Sequence, residues 1–268
     1  MEESKVLTPY DRVQIARKKN RPTVNDYIEA LFDDFIELKG DRLGAEDESI
    51  LGGIAMFRGI PVTVIGHRKG HTTEENIRYN FGMTSPEGYR KAVRLMKQAE
   101  KFHRPVITIV DTPGAYPGLE AETNGQSVAI AEAIAKTVTL KVPVITIITG
   151  EGSSGGALAI SAADSVWMLE NAVYSILSPE GFAAIVWKDA KRAAEACDIM
   201  KITAGELLEY GLIDGIIPEA PGGAQRDPQA LYRELDKALC RCLEALEPLS
   251  GDELIAARYQ KYRTLGLA

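Results

Sequence analysis

The feature that most constrains this chain is an apolar run that passes directly into a glycine-rich stretch. Residues 142–162 read VPVITIITGEGSSGGALAISA. The β-branched residues at its start are typical of a buried strand, and the small residues 157–162 predict a helix that lies close against a neighbour. The glycines predict a sharp turn at residues 150–156 with uncovered backbone N–H groups. Because a helix start carries unpaired N–H groups and a positive dipole end, this segment can stabilise permanent or transient negative charge.

A second glycine turn has the same setting. Residues 106–110 predict a strand, residues 111–118 read DTPGAYPG, and a helix is predicted over residues 125–140. Right-handed crossovers place the carboxyl ends of both strands, and therefore both turns, at one end of a sheet. Two neighbouring turns that offer backbone N–H groups have the geometry of an oxyanion hole.

The rest of the chain alternates strands with helices, which predicts an α/β domain with parallel strand pairing. A polar, glycine-spaced loop is predicted over residues 66–89. Ser85 and Ser178, each followed by Pro-Glu-Gly, predict helix starts. The remaining predicted helices cover residues 23–39, 204–210 and 227–246, with a short one after Gly251, and the remaining predicted strands cover residues 50–57, 61–66, 165–169, 173–176 and 213–217.

Composition narrows the class of protein. The formal net charge of −7 argues against general nucleic-acid binding. No apolar run approaches the roughly 18 residues that span a bilayer, and the start MEESKVLTPY lacks a signal-peptide pattern, so we expect a cytoplasmic protein with no membrane contact. Three cysteines without a CxxC motif predict a reducing compartment and no metal site.

The glycine stretch also matches other motifs. Gly150, Gly152 and Gly155 satisfy the GxGxxG of dinucleotide-binding domains, but the stretch lies in the middle of the chain. The GxSxG of a nucleophile elbow centres on Ser154, yet all three histidines precede it, contrary to the usual order of that triad. Residues 111–114 match a GTPase DxxG without any P-loop. Tight turns that serve packing alone are the remaining interpretation.

Five segments together carry a family resemblance. GEGSSGGALAI (150–160), DTPGAYPG (111–118), GLIDGIIPEAPGGA (211–224), RYNFGMTSPEGYRKA (78–92) and YSILSPEGFAAIVWK (174–188) resemble the carboxyltransferase alpha subunits of bacterial acetyl-coenzyme A carboxylase. The resemblance implies the crotonase fold, an α/β fold in which repeated ββα units form a superhelix, with helices at both termini. It divides the chain into an N-terminal helical segment (1–45), a carboxyltransferase core (46–226) and C-terminal helices (227–268).

The same resemblance implies an activity and partners. A carboxyl group would pass from carboxybiotin, held on a biotin carboxyl carrier protein, to acetyl-coenzyme A, giving malonyl-coenzyme A in the first committed step of fatty acid biosynthesis. No covalently bound cofactor is expected in this chain. The implied partners are a beta subunit, in an alpha2beta2 assembly, the carrier protein and biotin carboxylase, and ATP would be used by a different component.

The resemblance also yields site residues. We expect backbone donors from Gly155 and Gly156, completed by Gly114 and Ala115, and no metal ligand. Arg68, Lys69 and Arg78 are candidates for binding coenzyme A phosphates or an acidic carrier surface, with a solvated loop as the alternative. Tyr174, Ser178 and Phe182 are candidates for the biotin pocket, with core packing as the alternative, and Tyr116 is a further substrate-binding candidate.

Two other functions stay open at this point. A stand-alone acyl-coenzyme A enzyme of the same fold, a hydratase or thioester hydrolase, would use a carboxylate such as Glu151 or Glu120. A non-catalytic dinucleotide-binding module is the third possibility.

Overall fold

Eight strands of the described chain form one mixed sheet. The structure is a computed structural model that describes residues 6–266. The strands are β1 (Asp33–Glu37), β2 (Ile50–Phe57), β3 (Ile60–His67), β4 (Val106–Thr112), β5 (Val144–Ser153), β6 (Ser165–Leu169), β7 (Val173–Ser175) and β8 (Gly215–Ile217).

The sheet has an antiparallel edge and a parallel centre. Its order is β1-β2-β3-β4-β5-β6-β8, and β7 pairs with the end of β5. The β1–β2 and β2–β3 pairs are antiparallel, whereas all pairs from β3–β4 onward are parallel. The carboxyl ends of β3, β4 and β5 therefore meet at one edge, which confirms the predicted α/β class with parallel pairing.

Two helices precede the first strand, two follow the last, and the others lie between strands along the chain. They are α1 (Pro9–Ala16), α2 (Val24–Leu31), α3 (Thr73–Arg78), α4 (Pro86–Lys101), α5 (Leu119–Thr123), α6 (Gln126–Val138), α7 (Ser154–Ser161), α8 (Pro179–Trp187), α9 (Ala193–Met200), α10 (Ala204–Glu209), α11 (Pro228–Leu246) and α12 (Gly251–Thr264). Several starts are fixed by side-chain caps. The Ser178 hydroxyl accepts a hydrogen bond from the Gly181 amide, as its Ser-Pro-Glu-Gly sequence predicts.

Two predictions about local structure are wrong. The helix predicted over residues 23–39 ends at Leu31, because the following residues pair with β2 as strand β1. The Ile36 carbonyl oxygen lies 2.2 Å from the position of a Gly53 Cβ, so glycine permits this close approach. The loop predicted over residues 66–89 contains α3, whose start is stabilised by a capping box between Thr72 and Glu75.

One hydrophobic core runs through all three predicted segments. It includes residues of α2, the central strands and α11. Helix α12 is attached by Arg258, which is 1% exposed and forms a bidentate pair with Asp164 at 2.6 and 2.9 Å. The segment predicted as N-terminal and helical also contributes β1 to the sheet. The terminal segments thus pack as parts of the same body as the core.

Candidate active site

The first turn follows β4 and is held by short hydrogen bonds. The Thr112 hydroxyl donates to the Gly114 carbonyl oxygen at 2.7 Å and accepts from the Gly114 amide at 3.1 Å. Gly114 has φ +145°, a conformation that side chains rarely allow. The Tyr116 amide donates to the Thr84 carbonyl, and the Gln126 amide group donates to both the Thr84 and Tyr116 carbonyls. The turn is therefore fixed against α4 and α6.

The second turn is shorter than the sequence predicts. Strand β5 continues through Gly150 and Gly152 to Ser153, so the turn predicted from residue 150 is wrong. These two glycines make room for neighbours: the Asp111 carboxylate occupies the Cβ position of Gly150, and the Tyr174 ring that of Gly152. The chain reverses at Ser154, which has φ +57°. Because Ser153 supplies no side-chain cap, the first amides of α7 keep their donor capacity.

Gly156 joins the two turns. A Cβ at this residue would lie 2.6 Å from the Ala115 nitrogen and 2.7 Å from the Gly114 carbonyl carbon. A Cβ at Gly155 would meet only Ile130, at an ordinary 3.4 Å. The predicted neighbourhood of the two turns is therefore confirmed. Their role as an oxyanion hole stays a prediction.

Two buried polar side chains flank Gly156, and the sequence reasoning did not identify either. The hydroxyl of Tyr89 lies 3.1 Å from the Cβ position of Gly156. The His67 ring lies close to the Gly156 backbone, but neither ring nitrogen has a hydrogen-bond partner of normal geometry within residues 6–266. Burial lowers the pKa of His67 to about 4, and the nearby Asp111 charge offsets this only in part. His67 is therefore neutral at neutral pH.

A charged network lies near the junction of the two turns, at the ends of β3, β4 and β5. The Lys69 ammonium contacts Asp111 at 2.6 Å and Glu151 at 3.8 Å, and Arg17 joins Glu151 to Glu180 at 2.8 and 2.7 Å. Burial alone would lower the pKa of Lys69, but the two carboxylates raise it overall. Lys69 remains charged and faces a cavity of about 520 Å³. The sequence named Glu151 only as a carboxylate for a stand-alone enzyme and did not name Asp111, because only the fold brings these chain segments together with Lys69.

The other two predicted cations have local partners. Arg68 donates to the Asn25 side chain and lies over the Tyr79 ring at 4.8 Å. Arg78 pairs with Glu48 and also approaches Tyr79. These contacts give both guanidinium groups structural partners.

The four remaining candidates are divided between two further cavities and a helix cap. Tyr174 and Phe182 line an apolar groove of about 540 Å³ that also includes Ser154 and Gly155. The Tyr174 hydroxyl forms a hydrogen bond with the Ser161 hydroxyl at 2.9 Å. Tyr116 lines a polar cavity of about 510 Å³, together with Arg78. Ser178 caps α8 and does not line the groove as described.

The geometry also bears on the competing motifs. Gly150 and Gly152 lie inside a strand, whereas a dinucleotide fingerprint needs them in the turn. Ser154 stands at an elbow, but no hydrogen bond joins it to a histidine in the described chain. Within residues 6–266 no cluster of three or more His, Cys, Asp or Glu side chains is placed to hold a metal ion. None of the described helices is both long and apolar enough to cross a membrane.

Comparisons with known proteins agree with this picture. The family model described as acetyl co-enzyme A carboxylase carboxyltransferase-like matches residues 2–266. An acetyl-coenzyme A carboxylase carboxyl transferase subunit alpha of Clostridium acetobutylicum is 56% identical over 266 residues, covering 99% of this chain and 97% of the relative. An acetyl-coenzyme A carboxylase carboxyl transferase subunit alpha of Geobacillus is 57% identical over 260 residues, covering 97% of this chain and 80% of the relative.

A solved structure shows the same fold. A transcarboxylase 12S crystal structure with bound methylmalonyl-coenzyme A has a TM-score of 0.71 at 19% identity, covering 90% of this chain and 44% of that one. The crotonase-like fold class is thereby confirmed. On the nearly full-length match, this chain belongs to the family of acetyl-coenzyme A carboxylase carboxyltransferase alpha subunits.

Proposed function

We propose that this chain, with a beta subunit, transfers the carboxyl group of carboxybiotin to acetyl-coenzyme A and forms malonyl-coenzyme A. The observation that carries the proposal is the contact between Gly156 and the Gly114–Ala115 peptide, which leaves no room for a side chain. It brings the uncapped start of α7 against the turn after β4. Backbone donors at such a junction stabilise an oxygen that becomes negative during reaction.

The reaction needs charge stabilisation more than a reactive side chain. The bond between biotin N1 and the carboxyl carbon breaks, and negative charge develops on the ureido oxygen. We assign the amides of Gly155, Gly156 and Ala115 to that oxygen. The freed N1 takes the α-proton of the thioester, and the α-carbon forms the new bond to the carboxyl carbon. Products are biotin and malonyl-coenzyme A, so atoms and charge balance without an added reagent.

The neighbouring groups support this assignment. The pKa of about 4 makes His67 a weak base, and Lys69 is protonated and paired with Asp111 and Glu151, so neither is a strong base beside the proposed hole. The apolar groove with Tyr174 and Phe182 opens next to Gly155, and aromatic and aliphatic walls suit the apolar bicycle of biotin. Of the three predicted cations, Lys69 lines the cavity of about 520 Å³ at this edge of the sheet. We assign Lys69 to the binding of an anionic group of the substrate.

Family membership implies a beta subunit as partner. We propose an alpha2beta2 assembly in which the beta subunit supplies a second hole for the thioester enolate. The biotin carboxyl carrier protein would deliver carboxybiotin, and biotin carboxylase would reload it in a separate, ATP-dependent step. We place the reaction in the cytoplasm, which the three free cysteines of the described chain support.

The test is co-purification with the beta subunit, followed by an assay for malonyl-coenzyme A with carboxybiotin as donor. We expect formation of product by the complex and little by either chain alone. The same preparations are offered crotonyl-coenzyme A, the substrate of a hydratase. Turnover of crotonyl-coenzyme A by this chain alone, without carboxyl transfer by the complex, would show the stand-alone enzyme instead.

A further inference from the structure

The feature that carries the inference is the buried hydroxyl of Tyr89. The residue lies in the first turn of α4, and its side chain is fully buried. Its hydroxyl has no hydrogen-bond partner of normal geometry within residues 6–266, although the Thr84 side chain lies close by. An unpaired buried hydroxyl costs about 1–3 kcal/mol, so such groups call for an explanation.

The position of this hydroxyl is the second observation. It lies 3.1 Å from the point where a Gly156 Cβ would be, and the Gly114–Ala115 peptide lies within 2.7 Å of the same point. The hydroxyl is therefore at the junction of the two turns. Burial and the Asp47 charge raise the pKa of Tyr89, so the phenol keeps its proton and remains a donor.

The peptide at this junction is already polarised. The Thr112 hydroxyl donates to the Gly114 carbonyl at 2.7 Å, which strengthens the Ala115 N–H as a donor through the shared peptide bond. The Tyr89 hydroxyl lies at the same junction, and no hydrogen-bond partner of normal geometry in the described chain fixes the direction of its O–H. Turned toward a developing negative charge, this O–H adds positive potential at the proposed hole.

We propose that Tyr89 is a positioning residue for the oxyanion hole, whose hydroxyl supports the Gly156 and Ala115 amides as negative charge develops. This inference rests on the proposed function and adds a residue to it. An O–H dipole contributes more beside amides that hold a charged oxygen than beside amides that hold a neutral one, so the contribution of Tyr89 appears mainly in the transition state. Such an interaction raises kcat and leaves substrate affinity unchanged.

The test is Tyr89→Phe, which removes only the oxygen, assayed in the complex with the beta subunit. We expect kcat to fall about tenfold or more, KM for acetyl-coenzyme A to stay within about twofold, and the melting temperature not to fall. Tyr27→Phe is the matched control. Tyr27 is equally buried and has an unpaired hydroxyl, but it packs against Tyr232 on the α2–α11 side. It should keep the wild-type kcat.

Each outcome decides the inference. A kcat for Tyr89→Phe within about twofold of wild type overturns it, and so does a loss matched by Tyr27→Phe or by a lower melting temperature. In those cases malonyl-coenzyme A formation by the wild-type complex still stands, and the proposed function survives. Failure of the wild-type complex to transfer carboxyl groups overturns both.

Discussion

Replacing Gly156 with alanine tests the contact on which the proposed hole depends. The added methyl group would lie 2.6 Å from the Ala115 nitrogen, where ordinary van der Waals contact begins near 3.4 Å. The two turns would have to separate by the difference, about 0.8 Å. That shift is large compared with the tolerance of a hydrogen bond to a developing charge, because the interaction weakens steeply outside about 2.7–3.1 Å.

The expected loss follows from the number of donors affected. Removal of one hole donor typically costs roughly 2.7–4 kcal/mol of barrier, or about 10²–10³ in kcat. Gly156→Ala moves the Ala115 amide away from the oxygen that becomes negative, so we expect kcat to fall by a factor in this range. The amide of residue 156 remains present, because alanine keeps its N–H.

The assay is carboxyl transfer from carboxybiotin to acetyl-coenzyme A by the complex, with KM and kcat measured separately. Gly205→Ala is the control, since nothing lies within 4 Å of its Cβ position. We expect it to retain full activity. A Gly156→Ala complex that assembles normally and keeps a kcat within about threefold of wild type would refute the assignment of the hole to this junction.

Two further predictions concern stability. The pKa of His67 is about 4 in the folded chain, against about 6.5 when unfolded, so the unfolded state binds more protons between these values. The free energy of unfolding should therefore decrease by up to about 3 kcal/mol as the pH falls from about 6.5 to 4, and His67→Gln should lack this part of the slope in urea titrations. Identical slopes would contradict the burial argument. Arg258→Met leaves Asp164 buried without its guanidinium partner and should lower the free energy of unfolding by about 3–5 kcal/mol. Lys141→Met removes an exposed ion pair with Asp252, which lies on α12 like Arg258, and should leave the free energy of unfolding nearly unchanged; equal losses for the two variants would show that burial does not set the cost.

Most strands and helix starts could be predicted because their signals are local. Strands β3 and β4 are β-branched runs, β2 and β6 are short apolar runs, and Ser178-Pro179 marks the start of α8. The prediction from local signals was wrong where the chain pairs with another strand instead of forming a helix. The apolar spacing after Leu31 fits a helix, yet β2 offers a backbone partner across Gly53, and the chain forms β1. The predictions place no helix at α3, α5 or α9, and only the broad N-terminal helical segment (1–45) covers α1; these helices are short enough that tertiary packing decides them.

For the candidate site, too, some features follow from local sequence and others only from the tertiary structure. The sequence by itself determined that two glycine turns follow buried strands, because φ preferences and β-branching act within a few residues. Only the tertiary structure decided which glycine matters: Gly150 and Gly152 make room for Asp111 and Tyr174, while Gly156 alone meets the other turn. It also brought Tyr89 and His67 to that junction. Their roles depend on contacts between segments far apart in the chain, and the close packing of a folded interior sets such contacts.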